Sequence, residues 1–110
     1  ILWGFFEEHN LISMIIICMI VDEAEIYTIC THPDARNQNY ASKILKYAID
    51  ECGARLATSF FLEVNCHNKA AITFYQKFGF DIISKRIGYY TTRAGPIDAL
   101  VMRMCPYCQI

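Results

Sequence analysis

Glu63 stands inside an apolar run, Phe60-Phe61-Leu62-Glu63-Val64, and Tyr75 follows on the next helical segment. A carboxylate can take a proton and a phenol can give one, so the pair suits acid–base chemistry. Strand alternation puts Phe61, Glu63 and Asn65 on one face and Phe60, Leu62 and Val64 on the other. Among aromatics a carboxylate loses solvation, which predicts a pKa raised toward the range of a useful base. Taken singly, each residue has a blander account. An isolated strand Glu more often marks the solvent side, and Tyr75 shares a helical stripe with Phe74 and Phe78.

Upstream, the strand Ile26–Thr31 runs into His32-Pro33-Asp34-Ala35-Arg36-Asn37-Gln38-Asn39-Tyr40-Ala41, and a helix follows. A strand feeding a polar turn at a helix N-terminus is a ready anion site. Successive backbone amides there supply convergent N–H donors without a basic side chain, which is what a pyrophosphate needs. On its own, such a segment is more often an ordinary polar turn.

The elements that must position these groups follow from periodicity. Trp3–Phe6 and Leu11–Val21 read as strands joined around Glu7–Asn10, and Ile26–Thr31 as a third. Ala41, Ile44, Leu45, Ala48, Ile49 and Cys52 have helical spacing, with Ser42, Lys43, Lys46, Asp50 and Glu51 on the outer face. Gly53 sits where a C-terminal cap belongs. Asn68 is a good N-cap for a second helix ending at Gly79, with Ala71, Phe74, Tyr75 and Phe78 as its buried stripe. Phe80–Ser84 and Ile97–Met104 read as closing strands, separated by a loop holding Gly88, Gly95 and Pro96. Strands alternating with helices and flanked by hairpins predict a mixed α/β sheet.

With 110 residues and 55% hydrophobic side chains, the chain suits one domain, residues 1–110, with a modest core rather than a disordered segment. Ten basic and eleven acidic side chains nearly cancel, and no basic block marks a nucleic-acid surface. The apolar run Leu11–Val21 is too short to span a bilayer, and no basic region precedes it as in a secretion signal. Six scattered cysteines suit buried thiols in a reducing, cytoplasmic compartment.

The ordered set of segments resembles the GNAT acyltransferases, and within them the ribosomal-protein-alanine N-acetyltransferases. The family's cofactor motif, Gln/Arg-x-x-Gly-x-Gly/Ala, stands here as Arg36-Asn37-Gln38-Asn39-Tyr40-Ala41. Leu62-Glu63-Val64, Asn68, Ala71, Tyr75 and Gly79-Phe80 follow in order, then Tyr89-Tyr90 and Asp98-Ala99-Leu100-Val101-Met102. The likeness runs from about Trp3 to Met104 and implies a mainly antiparallel twisted sheet flanked by helices. It also implies direct transfer of acetyl from acetyl-CoA, a co-substrate, to a protein N-terminal amine such as a ribosomal protein's, without a metal. By resemblance, Ile29, Cys30 and Thr31 offer backbone groups to the pantetheine arm. Asn37 to Ser42 cradle the pyrophosphate, with Gln38, Asn39, Tyr40 and Ala41 inside that turn and Arg36 opening the motif. Asn68 and Tyr75 face the cofactor as well. Glu63 is the general base, through water, and Tyr75 the general acid that protonates the departing thiolate.

The chain departs from the family pattern at two positions. Asn39 replaces the first Gly of the motif, and Asn replaces the Arg usual directly after Leu-Glu-Val, at Asn65. Asn best tolerates the left-handed region after Gly, so the turn is expected to survive. The resemblance begins at the family's second strand. The chain is therefore expected to be N-terminally truncated, or else a reduced natural variant, with one sheet edge unpaired and open to self-association. A catalytically degenerate acyl-CoA-binding or assembly module is the alternative. A thiol-redox protein using Cys105-Pro106-Tyr107-Cys108 is a third and weaker account, since no helix follows to lower the first thiol's pKa. Cys66-His67, His32 and His9 make no strong metal set.

Overall fold

The computed structural model describes residues 1–7, 9–36 and 39–106. Among them six strands and two α-helices make a mixed α/β fold, mostly antiparallel. In chain order these are β1 (Leu2–Glu7), β2 (Asn10–Ile20), β3 (Glu23–Thr31), α1 (Tyr40–Ala54), β4 (Ser59–Asn65), α2 (Lys69–Phe78), β5 (Asp81–Thr92) and β6 (Gly95–Met104). The chain divides into two compact units, Ile1–Phe60 and Phe61–Ile110.

In the first unit β2 lies between β1 and β3 and pairs antiparallel with both. Alternation buries Ser13, Ile15 and Ile17 of β2. α1 lays Ile44, Leu45, Ala48, Ile49 and Cys52 on these strands, the apolar face that its spacing predicts. Gly53 does not cap this helix. It lies inside the last turn, and the cap is Arg55, whose N–H reaches the carbonyls of Cys52 and Gly53. Leu56 then takes the left-handed conformation, φ 72°, that a capping glycine would have supplied.

In the second unit the strand order is β4-β6-β5. Leu62, Val64, Phe80, Ala99, Met102 and Met104 form its buried core. The caps of α2 are as expected. Asn68 Oδ1 accepts the N–H of Ala71 at 3.2 Å, and Gly79, at φ 115°, closes the helix with its N–H on the Tyr75 and Gln76 carbonyls. The stripe of this helix is only half-buried, and none of its residues is fully buried. The closing strands are longer than periodicity predicts. β5 continues through Gly88 to Thr92 and turns directly into β6, so the expected loop is instead a hairpin. Its register slips between Arg86↔Ala99 and Tyr90↔Ile97, leaving an unequal number of residues on the two strands. Gly88 sits in that bulge at φ 64°, and its N–H donates to Asp98 Oδ1 at 2.8 Å.

Candidate active site

The polar turn belongs to the first unit. One turn of 3₁₀ helix, Pro33–Ala35, follows β3, with its first N–H, of Asp34, on His32 Nδ1 at 3.1 Å. Arg36 leaves it in an extended conformation with its side chain exposed. Asn37 and Gln38 lie outside the described residues. Asn39 then takes φ 63° and ψ 19°, the left-handed conformation in which glycine is unstrained. Its carbonyl accepts the N–H of Lys43 at 3.0 Å, while its side chain makes no capping hydrogen bond. The first turn of α1, including Tyr40, Ala41 and Ser42, holds no acidic residue. Backbone N–H groups at a helix start have no partner within the helix. An uncapped 15-residue helix with no carboxylate in its first turn therefore presents a positive end. A cavity of about 530 Å³ adjoins the turn, with His32, Asp34, Ala35 and Tyr40 in its wall.

The strand before the turn is firmly held. Thr31 pairs with Ser13, Cys30 with Met14 and Ile29 with Ile15. Ser13 Oγ donates to the Cys30 carbonyl at 3.0 Å and lies 3.1 Å from Thr31 Oγ1. The Cys30 side chain is exposed, so among the three pantetheine candidates it has the most open surface.

The second unit contains Glu63, Asn68 and Tyr75. β4 alternates as expected, with Leu62 and Val64 buried and Phe61, Glu63 and Asn65 half-buried. Asn65 makes no charge contact among the described residues. Its Oδ1 accepts the N–H of His67 at 2.8 Å, a local turn that ends the strand. Cys66 and His67 follow as turn residues, His67 exposed. Tyr75 stacks edge-on with Phe74 and Phe80, ring centroids 5.3 and 5.7 Å away.

Glu63 meets a partner that sequence reasoning missed. Arg86 Nη1 of β5 donates to Glu63 Oε1 at 2.7 Å. The same guanidinium lies 4.3 Å from the centre of the Tyr89 ring. Glu63 Oε2 is buried and accepts no hydrogen bond among the described residues. The nearby Tyr90 phenol is pushed above its ordinary pKa, first by burial, then by the charge of Glu63 and by Tyr89. Arg86 was hidden because it reaches Glu63 past β6, which lies between β4 and β5, from the edge of a bulge that spacing does not show. The available signal was Gly88, a lone glycine inside a strand pattern, which marks such bulges.

A family model described as "Acetyltransferase (GNAT) family" matches residues 1–80. The chain belongs to this family. It is similar to the ribosomal protein bS18 alanine N-acetyltransferase of Escherichia coli, with 35% identity over 86 residues, 78% of this chain and 58% of that protein. It is 32% identical to N-alpha-acetyltransferase 50 of Danio rerio over 86% of this chain and 60% of that one. The chain thus spans little more than half the length of these relatives. The crystal structure of the Escherichia coli ribosomal-protein-alanine enzyme superposes with a TM-score of 0.89 at 30% identity, covering 96% of this chain and 68% of that one. Among the described residues no three His, Cys, Asp or Glu side chains converge on a point where a metal ion could sit. No described helix is long and apolar enough to cross a membrane. Cys105 is half-buried, with Arg103 Nη2 3.4 Å from its sulfur. Residues 107–110, including Cys108, lie outside the described residues. Of the five described cysteines only Cys52 is buried, so the expectation of buried thiols holds for that residue alone.

Proposed function

We propose that this chain is the acetyl-CoA-binding and catalytic part of an N-acetyltransferase whose acceptor is a protein N-terminal α-amine, alanine foremost. In this reading the pyrophosphate of acetyl-CoA is held by the amides from Asn39 to Ser42 at the start of α1, together with those that the resemblance assigns to Asn37 and Gln38, and Ile29, Cys30 and Thr31 meet the pantetheine arm. The observation that carries it is Asn39. At the position of the family's first glycine it adopts the left-handed backbone that glycine would, ahead of an uncapped helix end without acidic residues.

The chemistry needs a base and an acid. Glu63, through a water, takes a proton from the acceptor ammonium. The free amine attacks the thioester carbonyl, forming the C–N bond. As the C–S bond breaks, the Tyr75 phenol protonates the CoA thiolate, and the proton still on the new amide nitrogen returns to the phenolate. The products are an acetylated N-terminus and CoA thiol, with the proton on Glu63 released to water. Family membership and the similarity to enzymes acting on ribosomal-protein alanine support a ribosomal-protein acceptor in a reducing, cytoplasmic setting.

A second reading, an acyl-CoA-binding module without catalysis, is favoured by one observation: one oxygen of the proposed base is already engaged by Arg86. Calorimetric titration with CoA, followed by turnover on a peptide beginning with alanine, separates the two. CoA binding with turnover that Glu63→Gln and Tyr75→Phe each lower by roughly 10²–10⁴-fold supports the enzyme. Binding without turnover supports the module. No binding at millimolar CoA by either the parent or Asn39→Gly overturns both.

A further inference from the structure

A glutamate reaching from a strand can present either oxygen by rotating its terminal bond, and a base that rotates is poorly aimed. In this chain the rotation is restrained. Arg86 Nη1 holds Oε1 at 2.7 Å, while Oε2 is buried and accepts nothing from the described residues. The two oxygens of one carboxylate are thus differentiated.

The guanidinium that does this is itself held. Its face lies over Tyr89 at 4.3 Å, which limits its own rotation. Arg86 borders the bulge of β5 and Tyr89 lies within it, and the Gly88 N–H donates to Asp98 Oδ1 across the bulge at 2.8 Å. Bulges re-aim side chains next to functional sites. Asp98 Oδ2 also lies 3.9 Å from Lys85 Nζ, a solvent-exposed pairing that adds little restraint of its own. The Arg86 side chain is about half exposed and that of Glu63 mostly covered, at 53% and 19%. A purely decorative surface pair would leave both ends wet.

We propose that Arg86 is a positioning residue for Glu63, holding Oε1 so that the carboxylate keeps one orientation as it accepts the proton during acetyl transfer. This rests on the reading of Glu63 as the base. Arg86 touches neither the acetyl donor nor the amine in this scheme. Its effect on the chemistry passes through Glu63, and that dependence is what an experiment can read.

The test is a double-mutant cycle in steady-state kinetics, with acetyl-CoA and a short peptide beginning with alanine. Arg86→Gln is expected to lower kcat by roughly tenfold or more, less than loss of the base itself. The KM for peptide and the affinity for CoA should stay within about threefold, because uniform binding is untouched. Arg86→Lys, which keeps the charge and one donor, should recover part of the loss. In the Glu63→Gln background Arg86→Gln should cost less than about threefold, since residues acting as a unit do not add. Thermal melts of each variant check folding, and the lysine variant serves if the glutamine variant is unstable. Losses that multiply, an unchanged kcat for Arg86→Gln, or a rise confined to the peptide KM would each overturn the positioning role while leaving Glu63 as base. A Glu63→Gln variant with parental turnover would overturn the base assignment itself, and this inference with it.

Discussion

Glu63 sits half-buried beside one cation and one phenol, and its charge is felt by both. Tyr90 offers an optical readout of that charge. Its pKa is raised first by burial and next by Glu63, so Glu63→Gln should bring its titration down toward the ordinary value near 10 without fully restoring it. Phenolate absorbance, with Tyr90→Phe as the difference control, measures this. No change would mean that the carboxylate does not face Tyr90. Asn39 is the other decisive residue. Asn39→Ala should destabilise by about 1 kcal/mol, the usual cost of a Cβ without a local hydrogen-bonding group in the left-handed region. Asn39→Gly should be nearly neutral in thermal melts, because relief of strain offsets the extra freedom of the unfolded chain. At this scale the sequence was readable wherever a residue's role is set by its neighbours in the chain. The tolerance of Asn39 for its turn and the outward face of Glu63 follow from local rules. Arg86 was not readable, because its partner is 23 residues away and on a strand separated from its own by β6.

Among the elements, α2 and the β5–β6 hairpin stand at opposite ends of legibility. α2 is written in its own termini: Asn68 caps it, Gly79 closes it, and both were placed from the sequence. Asn68→Ala should therefore cost about 1 kcal/mol, measured by chemical denaturation, through loss of the acceptor for the Ala71 N–H. The hairpin was misread as two short strands and a loop. Gly88, Gly95 and Pro96 are all turn-type residues, yet only Gly95 is at the turn. What keeps Gly88 within a strand is the Asp98 carboxylate, an acceptor supplied from the facing strand. Asp98→Ala should leave the Gly88 N–H without that acceptor and destabilise by about 1–3 kcal/mol. It should also speed hydrogen exchange at the Gly88 amide. If exchange at Gly88 is unchanged, the bulge is held by backbone pairing alone. The end of α1 was misplaced for a related reason: Gly53 could cap, but the helix continues to Ala54 and leaves the left-handed turn to Leu56.

At the level of the whole molecule, the mixed α/β class was legible because alternation and helical spacing survive along nearly every element, while the mainly antiparallel sheet was implied by the family resemblance. How the core distributes its cysteines was not. Composition counts thiols but does not place them, and here Cys30 is exposed while Cys52 is fully covered. Burial pushes the Cys52 thiol above its ordinary pKa, with Arg55 opposing. The neutral thiol is thus favoured in the fold and ionises first in the unfolded chain. Its contribution to stability is complete below the unfolded thiol pKa of roughly 8.5 and is lost as pH rises toward the folded value. Stability measured by denaturation should fall over that alkaline range, and Cys52→Ala should flatten the fall. Under native conditions a thiol reagent should label Cys30 before Cys52. Equal labelling would mean that α1 opens readily from its strands.

The left-handed backbone at Asn39 also bears on how such a turn can change over generations. No single base change converts a glycine codon into an asparagine codon. The intermediates are aspartate, which tolerates the backbone but sets a negative charge at a helix end suited to anions, and serine, which keeps the charge neutral but strains the backbone. A lineage passing between the family's glycine and this asparagine crosses one of those two handicaps, or compensates for it elsewhere in the chain.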